Sequence, residues 1–427
     1  MGMLTTPYWW DGVRPIAIPR SSLPRSADVA IVGSGYTGLS AALTLLKHGR
    51  SVVVLEAGRV AEGASSRNGA MFGDLLKPSV GELSARFGAQ MAARLCAEVR
   101  DALIHFEAFL AENGIQCDFH RSGRLTGALS KAQLAGLLRE SDALRRVTGV
   151  EYEVVEKSDL ASELGTDVYV GARLYRHHGG LHPAKYVAGL ARCVLAAGGV
   201  ICESTTFLSC ERTAEGFSIK TSAGTIRARE LIVATNGYTG TAGGSLRRRL
   251  IPVTSYMIAT EELPAELMRT LMPRGRVITD TNRLLCYYRP SPDRKRILFG
   301  GRPAYTEIST DESAKRLASY LHTLFPALAN VALTHSWFGM IAYTFDRLPH
   351  VGKVDGFHYA GGYCGSGVIM ATWLGSKVAH RLLGNAEGAT AFAEIAHPVH
   401  PLYHGRPWFL PLVQAWYQAA DLWDRRG

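Results

Sequence analysis

Apolar and polar positions sort the first sixty residues into three elements. The run DVAIV (28–32) is apolar after its aspartate, as in a parallel strand buried on both faces. YTGLSAALTLLKHG (36–49) predicts a helix closed by Gly49, and SVVVLE (51–56) predicts a second buried strand. Farther on, Phe87, Met91, Leu95, Val99, Leu103, Phe106 and Leu110 form one helical stripe ended by Asn113-Gly114. A strand over 123–130 and a helix over 131–148, closed by Gly149, come next. Between 250 and 330, LIPVTSYMIAT, LLCYYRPS and RILFGGR read as strands separated by turn residues, then a helix over 312–323. The last stretch (407–427) predicts an aromatic-rich amphipathic helix with Leu412, Trp416, Ala419 and Trp423 in one stripe.

The first strand, turn, helix and second strand make a βαβ unit with GxGxxG at its turn. Gly33 permits the tight turn, Gly35 lets the backbone approach a pyrophosphate, and Gly38 lets the helix lie close on the sheet. The helix N-terminus offers N–H groups to phosphate, with Tyr36 and Thr37 as its first residues. Glu56 ends the second strand, where a carboxylate accepts hydrogen bonds from a ribose diol and disfavours a 2′-phosphate. NAD and FAD both fit this motif, and the next segment separates them. EGASSRNGAMFGD (62–74) is a polar, Gly/Ala/Ser-rich loop where an NAD enzyme usually continues into another βα unit, and such a loop can lay backbone N–H groups along a long cofactor.

Composition narrows the class without naming it. The 427 residues suit two or three domains, with 47% apolar and 20% charged residues, as in an ordinary globular protein. The net charge of +10 is spread, with Arg247–Arg249 the nearest approach to a basic block, so it reads as a solvated surface and not as a nucleic-acid site. Seven dispersed cysteines without a CxxC pair point to reduced thiols and a cytoplasmic protein. The N-terminus lacks the pattern of a signal peptide, and no run of about 18 apolar residues would span a bilayer. The C-terminal helix is the one segment able to meet a membrane. Asp421 and Asp424 disfavour anionic lipid, and docking on its own domain is the expectation. His177, His178 and His182 fit no common zinc spacing, so no metal is expected.

GASSRNGA (63–70) after the ribose-binding acid resembles the D-amino-acid-oxidase-like family of flavoproteins, and the likeness runs across nearly the whole chain. GGLHPAKYVAGLARCVLAAGGVICESTTF (179–207) resembles the family's central helix and the strand that meets adenine, near Phe207. ELIVATNGYT (230–239) resembles its nucleotide-side strand end, with Ala234 and Thr235. FHYAGGYCGSGVIMATWLGSKVAHRLLG (357–384) resembles its last strand, glycine turn and helix. PYWWD (7–11) and WFGMIAYTFDRLPHVG (337–352) are similar to the γ-glutamylputrescine oxidoreductase branch. The resemblance implies an α/β fold: a Rossmann-like FAD-binding domain (26–84, 150–249 and 331–385) interleaved with an antiparallel-sheet substrate domain (85–149 and 250–330). A C-terminal extension occupies 386–427. It implies FAD contacts at Ala57, Gly63, Ala64, Ser65, Arg67, Asn68 and Gly69 in the second loop, and at Gly362, Gly365, Ser366, Gly367 and Val368 in the last turn. That last helix N-terminus would stabilise an anionic reduced ring.

The chemistry so implied is oxidation of an amine by hydride transfer to flavin N5. The resulting imine hydrolyses to an aldehyde, and the electrons pass to oxygen or another acceptor. Tyr256, Tyr288 and Tyr343 are the candidates for touching substrate, with Tyr287 and Trp337 beside them; Tyr287 and Tyr288 must point to opposite faces of their strand. Relatives that oxidise α-amino acids hold the carboxylate with an arginine in a G-[LF]-R-P segment, and sarcosine-oxidase-like members attach flavin to a cysteine at the same place. Here that position is Ile341, which favours non-covalent FAD and an amine whose carboxylate is distant or absent. Two alternatives stand beside it: an N-substituted or cyclic amino acid clamped by Arg283, Arg289 or Arg302, and an RNA- or partner-binding flavoprotein. Asp346-Arg347 reads as a local ion pair.

Overall fold

A computed structural model describes residues 2–13, 16–19, 22–282, 284–304 and 306–424. Two eight-stranded sheets organise them. In the first, Ser26–Val32 lies parallel between Val52–Leu55 and Gly224–Val233, and the order continues to Val200–Cys202 on one side and Phe357–Gly361 on the other. Where the central strands are buried, over Val29–Val32, Val52–Leu55 and Leu231–Val233, they are apolar, because helices cover one face and a β-meander packs on the other. Helix Tyr36–Lys47 lies between this sheet and helix Gly367–Leu383, with Leu39, Leu43 and Leu374 in one core.

The second sheet runs Leu333–Tyr343, Ile251–Thr260, Ile297–Gly301, Cys286–Pro290, Val277–Asp280, Arg124–Ala128, Gly171–Tyr175, Glu153–Glu156. All its pairs are antiparallel except Val277–Asp280 with Arg124–Ala128. Helix Thr310–Leu324 covers one face, burying Leu317 and Leu321 against Tyr256, Ile258 and Tyr288. The other face meets the first sheet's domain through Met257, Ala259, Leu298 and Trp337.

Sheet pairing redraws the expected boundaries. Strands Glu153–Glu156, Gly171–Tyr175 and Leu333–Tyr343 belong to the second sheet, although 150–249 and 331–385 were expected in the nucleotide domain. Helix Ala89–Glu112, expected in the substrate domain, buries Leu95, Val99, Leu103 and Phe106 in the core of the nucleotide domain. Its stripe is not continuous with Phe87. Gly88, at φ +82°, separates it from a shorter helix Val80–Phe87 that opens on a Ser79–Glu82 capping box. The loop expected over 62–74 contains a short helix, Ala64–Arg67, and a strand, Met71–Phe72. The C-terminal helix Leu410–Asp424 buries Leu410, but Leu412 and Trp416 are exposed and not docked as expected; the side chains of Ala419 and Trp423 lie outside the described residues.

Candidate active site

A cleft of about 530 Å³ runs between the two domains, from the end of the βαβ unit to the turn before the last long helix. Backbone at Gly33, Gly35, Tyr36 and Thr37 forms one wall, with Glu56 and Ala57 beside it. Gly63, Ala64, Ser65, Arg67 and Asn68 form the second, and Phe207, Ala234 and Thr235 the third. Gly365, Gly367 and Val368 close the far end.

The geometry suits a dinucleotide. Gly33 stands at φ +104°, which only glycine adopts freely. A Cβ on Gly35 would come within 2.9 Å of Ser65 Oγ, the hydroxyl that accepts the Tyr36 N–H at 3.0 Å. Neither Gly35 nor Ser366 gives its helix a side-chain cap, so both helices leave N–H groups for an anion or a ring carbonyl in the cleft. Glu56 is held at the wall by the Ser34 N–H (2.9 Å), the Ser34 hydroxyl (2.6 Å) and the Gly58 N–H (3.0 Å), as a ribose-binding acid must be.

Three indoles fix the second wall. Trp9 donates to the Asn68 carbonyl at 2.9 Å, Trp10 to Ser66 Oγ at 2.9 Å, and Trp337 to the Arg67 carbonyl at 2.9 Å. Arg67 lies over the Trp10 ring at 4.8 Å, and the Asn68 amide donates to the carbonyls of Ala64 and Ser65 at 3.1 Å. Trp9 and Trp337 are fully buried, so losing either indole bond would leave a carbonyl of this wall without that partner.

Of the residues expected at the cofactor, Gly38, Gly69, Gly362 and Ser366 do not line the cleft, and for Gly38 the close packing its place in the motif implied is its whole role. Gly38 is a packing glycine, its Cβ position lying 1.9 Å from the Gly33 carbonyl oxygen. Gly69 makes room for the Tyr287 ring, which would sit 2.6 Å from a Cβ there. Gly362, at φ +76°, is crowded by Thr344, and Ser366 turns its hydroxyl toward the Leu75 carbonyl at 3.4 Å. Conversely, Ser34, Asn236, Tyr238, Phe338 and Tyr363 line the cleft without having been expected. Asn236 and Tyr238 sit in the ATNGYT segment, so the Asn-Gly turn pair followed by an aromatic was the available signal, and the structure places Asn236 at φ +44°.

Two of the expected substrate tyrosines are corrected. Tyr256 and Tyr288 are fully buried on the helix side of the second sheet, away from the cleft. Tyr256 OH accepts the Ile308 N–H at 2.9 Å; Tyr288 stacks on Phe299 and shares a hydrogen bond with Tyr169 at 3.1 Å. Strand parity then turns Tyr287 to the other face, where its hydroxyl meets Ser255 Oγ at 3.0 Å. Tyr343 is half-buried beneath the Arg302 guanidinium, 5.1 Å from its ring. Ile341 and Phe338 are on the cleft wall itself. Arg289 is buried with its guanidinium donating to the carbonyls of Ala70 (2.7 Å) and Leu181 (3.0 Å), so it is a structural tie and not a substrate clamp. Arg283 lies outside the described residues.

Asp346 pairs with His350 at 3.0 Å and Arg347 with Glu82, so the two neighbours take separate partners and not each other as expected. Cys364 lines the cleft, but burial pushes its thiol up to about 11 and it stays protonated at neutral pH. His182 caps helix Pro183–Ala196 against the Lys185 N–H at 3.4 Å. His177 and His178 converge on buried Asp74, at 3.0 Å and 2.5 Å, a grouping with donor atoms within 4.8 Å that histidine spacing alone could not reveal. The two imidazole bonds hold the Asp74 carboxyl well below the usual range, and the carboxylate also acts on Arg121 and Arg124 as a shared counter-charge.

Comparison with known proteins agrees with the geometry. The sequence model of a family described as FAD dependent oxidoreductase matches residues 28–381. γ-Glutamylputrescine oxidoreductase of Escherichia coli (strain K12) is 32% identical over 404 residues, covering 94% of each chain. A probable oxidoreductase OrdL of Rhizobium meliloti (strain 1021) is 31% identical over 97% of each. Among solved structures, glycine oxidase from Geobacillus kaustophilus superposes with a TM-score of 0.75 at 21% identity, covering 89% of this chain and 100% of that one. L-proline dehydrogenase from P. horikoshii gives 0.71 at 18%, covering 91% and 98%. At such identities these two likenesses speak to the fold alone. No described helix is long and apolar enough to cross a membrane.

Proposed function

The chain belongs to the FAD dependent oxidoreductase family, and from that premise we propose that it oxidises a primary or secondary amine of the γ-glutamylputrescine kind. One observation carries the reading: position 341, on the cleft wall, is an isoleucine, flanked by Phe338 and Tyr238, where α-amino-acid oxidases of the family place a guanidinium.

FAD, when bound, supplies the hydride acceptor at flavin N5. Its pyrophosphate would be held by backbone at Gly33, Gly35 and Thr37, its ribose by Glu56, and its ring by the wall from Ala64 to Asn68 and the turn at Gly365–Val368. With no thiol at 341 to bond it, the flavin is held non-covalently. The protein's own part is to make the amine oxidisable. An amine is charged in water and must be neutral to release hydride from its α-carbon. Phe338, Ile341, Tyr238 and Tyr363 offer the amine a surface without carboxylates, which favours its neutral form once bound flavin covers the cleft, while ring faces hold whatever positive charge remains. The substrate leaves as an imine, which water converts to an aldehyde and an amine or ammonia; the electrons go to oxygen or another acceptor.

The test is anaerobic. The holoenzyme is mixed separately with γ-glutamylputrescine, putrescine, sarcosine and D-proline, and the flavin absorbance is recorded. Bleaching by γ-glutamylputrescine, and not by sarcosine or D-proline, is expected. Bleaching by sarcosine or D-proline would mean that an α-carboxylate clamp exists and that Ile341 is a false guide.

A further inference from the structure

A second cavity, of about 390 Å³, shares no lining residue with the cleft. Asp74 and His177 stand on its wall, with Arg100, Arg121, Tyr152 and Arg176 around them. His178, fully buried, joins them from within. His177 Nε2 is 3.0 Å from Asp74 Oδ2, His178 Nε2 is 2.5 Å from Asp74 Oδ1, and one donor atom from each of the three residues falls within 4.8 Å of the others. Histidine spacing alone predicts no metal here, because the third donor comes from 103 residues earlier in the chain.

Backbone pairing brings it there. Met71 faces Gly180 and Phe72 faces Gly179 in an antiparallel ladder, and two further steps along both chains lead to Asp74 and His177. Gly73 has no side chain where a Cβ would meet the His178 ring at 2.6 Å. The Tyr175 ring packs on both imidazoles, with centroids 5.6 Å from His177 and 4.9 Å from His178. The donors are therefore held together by the fold before any ligand arrives, which lowers the cost of ordering them.

Two imidazoles and one carboxylate are the donor set of a three-ligand zinc site, and they suit a hard cation such as magnesium poorly. An ion ~2.1 Å from each donor sets the donors ~3.4 Å apart, so the present contacts need open by less than ~1 Å. His177, on the cavity side, has room to give. Two cations act on the same carboxylate: Arg121 is already paired with Glu107 at 2.6 Å, and Arg124 opposes a further positive charge. The site is therefore weaker than a four-ligand structural one. We propose that Asp74, His177 and His178 bind one divalent transition-metal ion, zinc by the chemistry of the donors, with its fourth position open to water in the cavity. The ion stands apart from the flavin cleft, and the proposal does not depend on which amine is oxidised. It would pin the segment after Met71–Phe72, which follows the second wall of the cleft, to the chain entering Gly179–Gly180.

The experiment uses tag-free holoenzyme passed over a chelating resin. Zinc is titrated by calorimetry, with magnesium as the hard-cation control, and Tm is recorded with and without zinc. One zinc per chain and a raised Tm are expected in the wild type. His177→Gln removes the accessible donor without opening the core; affinity should fall by at least about 100-fold and the rise in Tm should vanish. Asp74→Asn, which keeps the shape but not the charge, should do the same. His400→Gln, an exposed histidine of the C-terminal extension, should match the wild type. No saturable site up to about 0.1 mM zinc, far above the dissociation constant of structural zinc sites, would overturn the proposal. So would equal affinity in His177→Gln, which would place the ion on surface histidines, or equal affinity for magnesium. Should Asp74→Asn fail to fold, His177→Gln decides alone.

Discussion

Gly38→Ala tests whether the nucleotide-binding helix is held in place by close backbone approach. The new Cβ would sit 1.9 Å from the Gly33 carbonyl oxygen and 3.3 Å from Ile31 Cγ2. Relieving the first contact asks the helix to recede by about 1.5 Å, to reach an ordinary carbon–oxygen separation. It has nowhere to go. On its other side Gly375 of helix Gly367–Leu383 approaches so closely that a Cβ there would meet the Thr37 carbonyl oxygen at 2.5 Å. Overpacking of this kind costs ~3 kcal/mol, at the upper end of its range. Alanine's better helix propensity offsets ~1 kcal/mol, leaving a net loss of ~2 kcal/mol. Flavin retention should suffer with it, because the displaced turn is the one that meets the pyrophosphate. The assay is flavin content after desalting, together with a thermal melt. Gly136→Ala is the control: it makes the same change inside helix Lys131–Thr148, where the nearest atom is a flexible arginine end at 3.8 Å, and should be neutral or stabilising. Full flavin content and a Tm for Gly38→Ala equal to that of Gly136→Ala would refute the argument.

Trp337→Phe removes the indole bond to the Arg67 carbonyl, costs ~1–3 kcal/mol locally and should speed flavin release, read as recovered free-flavin fluorescence on dilution. Tyr288→Phe should lower stability by ~1 kcal/mol through Tyr169 while leaving kcat/KM for the amine within about twofold, because its hydroxyl is on the wrong side of the sheet. Burial lowers His178 to about 3, and His182 and His358 to about 4, so they stay neutral in the fold while the unfolded chain protonates below about 6.5. The stability they contribute is therefore complete above about pH 6.5 and lost as pH falls from there toward 4, which urea titrations at stepped pH would show; stability that held constant across that window would contradict it.

The parts legible in the sequence are those whose physics is local. Helix Lys131–Thr148 appears over the residues predicted for it, closed by Gly149, and the βαβ unit with Glu56 is where glycine spacing put it. What escaped depends on partners far away in the chain. Parity told that Tyr287 and Tyr288 face opposite ways, but which side meets the cleft is decided by where helix Thr310–Leu324 packs. Gly69 reads as a phosphate-loop glycine until the Tyr287 ring arrives from 218 residues downstream. Arg289 looks like a clamp until the carbonyls of Ala70 and Leu181 are seen to occupy it. Helix Ala265–Leu271 and strand Val277–Asp280 were missed because seven and four residues are too few for periodicity to speak.

The order of the strands also governs how the protein comes off the ribosome. Ser26–Val32 is made early, yet its parallel neighbour Gly224–Val233 arrives some two hundred residues later, and Gly367–Leu383, the helix that covers Tyr36–Lys47, later still. The strand Leu333–Tyr343, which completes the edge of the second sheet, emerges only after most of the first. Neither half can close while the chain is being made. Unpaired edges and apolar helix faces stay exposed until nearly the last residues appear, which is the circumstance in which aggregation competes with folding. Expression at low temperature with chaperones and ample riboflavin is therefore the practical regime for this chain, and a clean cut into two separately expressed domains is not available to it.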